Sequence, residues 1–115
     1  MKSSERPSED YVQDILDYAE QAMRFMSSAS DADALAHDEK TLLAVVRALE
    51  VMGAAAKHVA PAFRREHPEI PWRGMAGMRD KVVHGYFGVD AAVVWRTVRE
   101  DLPRIREAVQ SLLPS

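Results

Sequence analysis

Apolar residues recur every three or four positions along most of this chain, which is the spacing of one face of an α-helix. Three long stripes show it, and the sequence contains no strict β-alternation, hairpin turn or internal repeat. The stripes are Val12, Ile15, Leu16, Ala19, Met23 and Met26; Leu42, Val46, Leu49, Met52, Ala56 and Val59; and Val94, Val98, Leu102, Ile105, Val109 and Leu112. The pattern predicts an all-α fold, an antiparallel bundle of four to five helices.

Polar residues and prolines predict where the long helices begin and bend. Ser8, Asp38 and Asp90 each precede an apolar stripe. Their side-chain oxygens can accept hydrogen bonds from the free N–H groups of a first helical turn, so each is expected to be an N-cap. Pro103 lies inside the last stripe and lacks an N–H group. It predicts a kinked C-terminal helix, with the kink near Arg99.

Between the long stripes, shorter segments are expected. Pro61 should begin a short helix, and a third helix should run from about Trp72 to Val83. The small residues 53–56 lie in the middle of the second helix, where glycine costs about 1 kcal/mol relative to alanine. Such a small face indicates close approach of another helix, either within the domain or across a dimer.

Length and composition restrict the class of protein. A chain of 115 residues, 47% of them hydrophobic and 29% charged, fits a single globular domain over residues 1–115. The absence of cysteine excludes disulfides, thiol nucleophiles and thiolate metal sites. No apolar run has membrane length, and the N-terminus lacks the apolar stretch of a signal peptide, so we expect a cytoplasmic protein without a membrane partner.

Charge is distributed unevenly. The net charge of −3 alone argues against a nucleic-acid binder. However, residues 1–52 hold five Lys and Arg against eleven Asp and Glu, whereas residues 53–84 hold six against three. The basic middle third could bind a phosphate-bearing partner, or it could dock the acidic first third of the same chain or of a neighbour.

Residues 77–90 carry the candidate chemistry. Arg79 offers a fork of N–H donors that suits a phosphate, and His84 can take and give a proton near neutral pH. On one helix Asp80 and His84 would be i,i+4 neighbours, so Asp80 could orient the imidazole. Arg79 and His84 would lie about 140° apart, so the helix must end near His84 if the two are to share one site.

A simpler interpretation of these residues stays open. Two residues at a fixed spacing also occur by chance, and a histidine at a helix C-terminus is favoured there by the partial negative charge. In that case His84 is a capping residue and Arg79 a solvated one. Likewise, Tyr86 could be an aromatic plug at the helix end beside Phe87.

The wider context resembles a known family. Arg79-Asp80-x3-His84-x-Tyr86 resembles the motif of HepT toxin ribonucleases, which belong to the HEPN superfamily of small helical domains. Similar runs are Leu49-Glu50-Val51-Met52-Gly53, Pro68-Glu69-Ile70-Pro71-Trp72 and Gly77-Met78. One departure is Ala54, where relatives often carry a glutamate. If that carboxylate supports the site in relatives, this support is missing here.

The resemblance implies a HEPN-like domain and a metal-independent endoribonuclease that needs no cofactor. RNA would be cleaved by attack of its own 2′-OH, with His84 in proton transfer, Arg79 as the phosphate clamp and Asp80 as support. One motif contains a single histidine, whereas the reaction needs an acid and a base. The resemblance therefore implies a homodimer that pairs two motifs across a two-fold axis.

It also implies a partner. In similar two-gene systems, which are toxin–antitoxin systems of a type VII-like kind, a minimal nucleotidyltransferase antitoxin attaches AMP to the tyrosine of the His-x-Tyr motif. Tyr86 is the matching residue here. The alternative function is a non-catalytic helical subunit that docks a nucleotidyltransferase and positions its substrate. The pair Arg79 and His84 favours the ribonuclease, while Ala54 and the acidic net charge favour docking.

Overall fold

The architecture is helical, as the apolar pattern predicts. A computed structural model describes residues 6–84 and 88–114, and for His84 it describes the backbone alone. The helices are α1 (Ser8–Met26), α2 (Ala32–Ala36), α3 (Glu39–His58), α4 (Pro61–Glu66), α5 (Trp72–Ala76), α6 (Met78–Val82), α7 (Ala91–Arg96) and α8 (Leu102–Gln110), with a π-helical segment (Thr97–Asp101) between the last two. The all-α prediction is confirmed.

Helices α1 and α3 form the frame of the molecule and run antiparallel. The N-terminal end of α1 lies beside the C-terminal end of α3, where the Tyr11 ring stacks on His58 with centroids 5.2 Å apart. Helix α8 packs against α1, and α5 and α6 pack against α3. The largest fully buried side chains are Ile15, Leu35, Leu49, Met52, Met75, Leu102, Val12, Val45, Val59, Val82, Val94 and Val109. All three predicted stripes therefore face one common core.

Two of the predicted N-caps are confirmed and one is wrong. Asp38 accepts a hydrogen bond from the Thr41 N–H at 3.2 Å. Asp90 accepts one from the Val93 N–H at 3.1 Å. Ser8 makes no capping bond to α1. Its hydroxyl instead accepts a hydrogen bond from the backbone N–H of Ala60 at 3.1 Å, which ties the start of α1 to the residue before α4.

The small residues of α3 serve packing within the chain. A Cβ atom at Gly53 would lie 2.6 Å from the carbonyl oxygen of Met75, so α5 approaches α3 more closely than any side chain at position 53 would permit. Ala55 and Ala56 are also buried, whereas Ala54 is exposed. Of the two explanations for this face, packing within the domain is confirmed, and the face provides no argument for a dimer.

The predicted third helix differs from the observed structure. It is interrupted at Gly77, and α6 ends at Val82 rather than running through Val83. Val83 is extended, with φ −118° and ψ 123°. It begins strand β1 (Val83–His84), which pairs antiparallel with β2 (Gly88–Val89). This ladder corrects the expectation that no hairpin occurs.

The C-terminal helix is irregular where Pro103 predicts. The proline has no N–H to donate to Arg99, and its ring would clash with that carbonyl in a regular helix. Residues Thr97–Asp101 adopt π-helical turns at this point, so the distortion takes the form of a π-helical segment.

Candidate active site

Arg79 stands on the exposed side of α6 and is held by one carboxylate. Its Nε donates to Oε2 of Glu50 on α3 at 3.2 Å. The Arg79 side chain is 65% exposed, whereas Glu50 is 26% exposed. Arg47, one turn earlier on α3, approaches the other Glu50 oxygen at 3.9 Å. Within the described residues the terminal guanidinium nitrogens of Arg79 make no hydrogen bond, so they remain available to bind a phosphate.

His84 lies outside the helix that carries Arg79. Its backbone pairs with Gly88 in the two-residue ladder. The prediction that Asp80 and His84 are i,i+4 neighbours on one helix is therefore wrong, because α6 ends at Val82. The same ending removes the helical separation of about 140°, which would have kept Arg79 and His84 out of one site. The His84 side chain lies outside what the structure describes.

Glu50 is the residue that sequence reasoning missed. It lies within the Leu49–Gly53 run, yet it is separated from Arg79 by 29 positions, so no local spacing connects the two. One signal was present in the sequence, since Glu50 is the only carboxylate between Glu39 and Glu66. A lone carboxylate in the mostly apolar middle of a helix is expected to have a cationic partner when it is partly buried.

Comparison with known proteins assigns the family. The family described as Ribonuclease HepT-like matches residues 15–112. This chain belongs to the HepT-like ribonucleases. It is 47% identical over 107 residues to a protein of Thermococcus cleftensis named "Probable ribonuclease HepT", covering 93% of this chain and 96% of the relative. The family match therefore identifies an enzyme that hydrolyses RNA.

Other members of the HepT-like family match over almost the same length. A protein of Methanocaldococcus jannaschii, provisionally named an RNase, is 34% identical over 93% of this chain and 97% of its own length. A protein of Caldanaerobacter subterraneus, also provisionally named an RNase, is 35% identical over 90% of this chain and 91% of its own length. No solved structure matches the chain.

The remaining motif residues of this HepT-like chain are partly described. Asp80 is exposed, and its carboxylate makes no hydrogen bond or ion pair within residues 6–84 and 88–114. Tyr86 lies outside the described residues. Ala54 is exposed one helical turn after Glu50, so a carboxylate at position 54 would stand next to the one that holds Arg79.

Two further features belong to this description. No three His, Asp or Glu side chains in the described part of the chain are grouped closely enough to hold a metal ion. Among the same residues, none of the helices is both long and apolar enough to span a membrane.

Proposed function

We propose that this HepT-like ribonuclease cleaves RNA internally, without a metal ion, and acts as the toxin of a toxin–antitoxin pair in the cytoplasm. The observation that carries the proposal is the state of Arg79. It is fixed through Nε to Glu50, while its terminal nitrogens point to no partner in the described structure. A guanidinium held at one edge and open at the other can bind two oxygens of one phosphate.

The reaction follows from these groups. A base removes the proton from the RNA 2′-OH, the oxygen attacks the adjacent phosphorus, and the bond to the 5′-oxygen breaks as an acid protonates it. The products are a 2′,3′-cyclic phosphate and a 5′-hydroxyl end. Arg79 would neutralise charge on the phosphoryl oxygens, and His84 would transfer a proton with Asp80 as its support.

The acid and the base require two histidines, so the active form is a homodimer with one His84 from each chain. In this arrangement one copy deprotonates the 2′-OH and the other protonates the leaving oxygen. The ending of α6 before His84 supports it, because the histidine then lies on an extended segment beyond the packed helices.

The departure at Ala54 does not remove the local carboxylate. Glu50 already contacts Arg79 from the preceding turn of α3, so the clamp keeps a carboxylate partner without a second acid at position 54. This contact favours an active ribonuclease over a docking subunit.

The test is an RNA digestion with the purified full chain. Cleavage should survive a metal chelator and leave cyclic-phosphate or 3′-phosphate ends. Substituting His84→Ala should reduce the rate by about 10²–10⁴-fold, the usual cost of losing a proton-transfer group. Arg79→Lys should also be impaired, because a point charge does not reproduce the bidentate fork. Cleavage at the wild-type rate by His84→Ala would refute the assignment and leave the docking function.

Control by a minimal nucleotidyltransferase antitoxin is the second part of the proposal. The partner would attach AMP to Tyr86, two positions after His84, and add both charge and bulk at the mouth of a site for RNA phosphates. Intact mass spectrometry of the co-expressed proteins should show added AMP units that Tyr86→Phe abolishes. An unmodified chain that the partner still silences would mean that control acts through binding alone.

A further inference from the structure

Four cations surround the short helix α4. Lys57 ends α3, Arg64 and Arg65 belong to α4, and Arg73 lies on α5. All are exposed except Arg64, which is half-buried. None of the four forms an ion pair with any carboxylate in residues 6–84 or 88–114. We call these four residues the α4 surface.

The structure argues against one role that the charge pattern left open, docking of the α4 surface on the acidic first third of the same chain. The first third of the chain is acidic, but its carboxylates do not neutralise the α4 surface. Asp14 pairs at 2.7 Å with Arg6 of the same third. Glu50 is the acid from this third that reaches the basic segment in the described structure, and it contacts Arg79. No ion pair within residues 6–84 and 88–114 therefore compensates the charge of the α4 surface.

The α4 surface includes two adjoining clefts. One, of about 550 Å³, is lined by Arg64, Arg65 and Arg73 together with other residues, among them the buried Trp72. The other, of about 460 Å³, shares Arg64 and is lined by further residues, among them Arg6, Tyr11, Lys57 and His58. The exposed His58 ring, which stacks on Tyr11, and the arginines offer planes of the kind on which single-stranded nucleic acids place their bases and phosphates.

The α4 surface is continuous with the candidate active site. Glu50, which holds Arg79, and Lys57 are seven positions apart on α3, which is about two turns and about 10 Å on the same face of a helix. Only Ala54, small and exposed, lies between them at the intervening turn of that face. A strand whose phosphate is bound by Arg79 could continue along α3 to Lys57 without meeting a bulky side chain.

We propose that the α4 surface binds phosphates of single-stranded RNA next to the bond that is cleaved. The inference rests on the proposed ribonuclease function and identifies the substrate as an unpaired strand. An acidic protein surface is the less favoured occupant, because the clefts contain aromatic and guanidinium planes that suit bases as well as phosphates.

The experiment measures binding of a fluorescent, single-stranded 2′-O-methyl RNA, which lacks the attacking hydroxyl, at several salt concentrations. The variant Arg65→Ala/Arg73→Ala removes two exposed arginines of the α4 surface. The matched control Arg104→Ala/Arg106→Ala removes two exposed arginines of α8 and changes the net charge equally. Each phosphate contact on a single strand contributes about 0.7 to the slope of log K against log salt, so the first variant should lower the slope by about 1.4.

The outcomes separate this inference from the proposed function. A reduced slope in the α4 variant and an unchanged slope in the α8 control support it. If the slope falls equally in both variants, or falls in neither, the inference is overturned. A change in self-association instead would mean that the α4 surface docks an acidic face of a second copy, which also overturns it.

Wild-type RNA binding with the expected slope but without cleavage of ordinary RNA would refute the ribonuclease mechanism alone. Cleavage without any effect of Arg65→Ala/Arg73→Ala would refute the α4 surface alone.

Discussion

The frame formed by α1 and α3 and the segment from residue 77 to residue 90 are built differently. The frame consists of helices of 19 and 20 residues with mostly buried stripes. The segment contains a five-residue helix, a two-residue ladder and exposed polar residues such as Arg79 and Asp80. The contrast indicates that stability resides in the frame, while the chemistry lies on short elements that contribute little to it.

Truncating a core side chain of the frame should have the largest effect on stability. Met52 is fully buried in α3. Substituting Met52→Ala should lower the free energy of unfolding by about 2–5 kcal/mol through lost burial and a cavity. The comparison variant Asp80→Ala, an exposed residue of the segment, should stay within about 0.5 kcal/mol of the wild type. Urea unfolding measures both, and similar losses would show that the two regions do not differ in this way.

The packing of α5, which precedes the segment, on the frame can be tested at a glycine. Gly53→Ala would place a Cβ against the Met75 carbonyl, so α5 must move away. Overpacking of this kind typically costs about 1–3 kcal/mol. The control Gly74→Ala meets only a side-chain atom of Pro71 at 3.8 Å. In a helix this control should instead gain about 0.5–1 kcal/mol. Equal effects of the two substitutions on thermal unfolding would contradict the close approach.

A smaller effect is expected at the ion pair that joins frame and segment. Glu50→Gln removes the charge opposite Arg79, and exposed ion pairs contribute about 0.2–1 kcal/mol. We expect kcat/KM for RNA cleavage to fall by roughly 1.5- to 5-fold, since about 1.4 kcal/mol corresponds to tenfold. Arg47→Ala, which removes only the 3.9 Å contact to Glu50, should leave kcat/KM unchanged. A larger loss of kcat/KM in Arg47→Ala than in Glu50→Gln would show that Arg79 is not the functional partner of Glu50.

The smallest effect concerns acid stability of the frame. Hydrogen bonds from the Thr41 hydroxyl and N–H lower the pKa of Asp38 below its ordinary value of 3.8. A lowered pKa means that this carboxylate stabilises the fold above pH 3.8 and that the contribution is lost as pH falls through the lower, folded-state value. Asp38→Asn can still cap α3 but does not titrate. Its melting temperature should therefore fall less steeply with acid than that of the wild type, and parallel curves would exclude the effect.

The sequence predicts those features of the fold that depend on residues close to one another along the chain. The stripes and the caps at Asp38 and Asp90 were accessible because periodicity and capping act over three or four residues. Ser8 was misassigned because its partner, the Ala60 N–H, is 52 positions away. The contact between Glu50 and Arg79 was missed for the same reason, since it arises only when α6 packs on α3. Local helical spacing also failed at His84, because the chain leaves the helix two residues earlier.

Gly88 makes the first position of strand β2 unusually intolerant of variation. Its φ of 144° disfavours every L-residue, yet a Cβ atom there would meet nothing within 4 Å in the part of the chain that the structure describes. The restriction is therefore one of backbone conformation and not of volume, so alanine and tryptophan should be rejected almost alike. A library selected for loss of RNA cleavage would collect substitutions of every size at this position, although the residue contributes no functional group. Added imidazole would not restore cleavage to these variants.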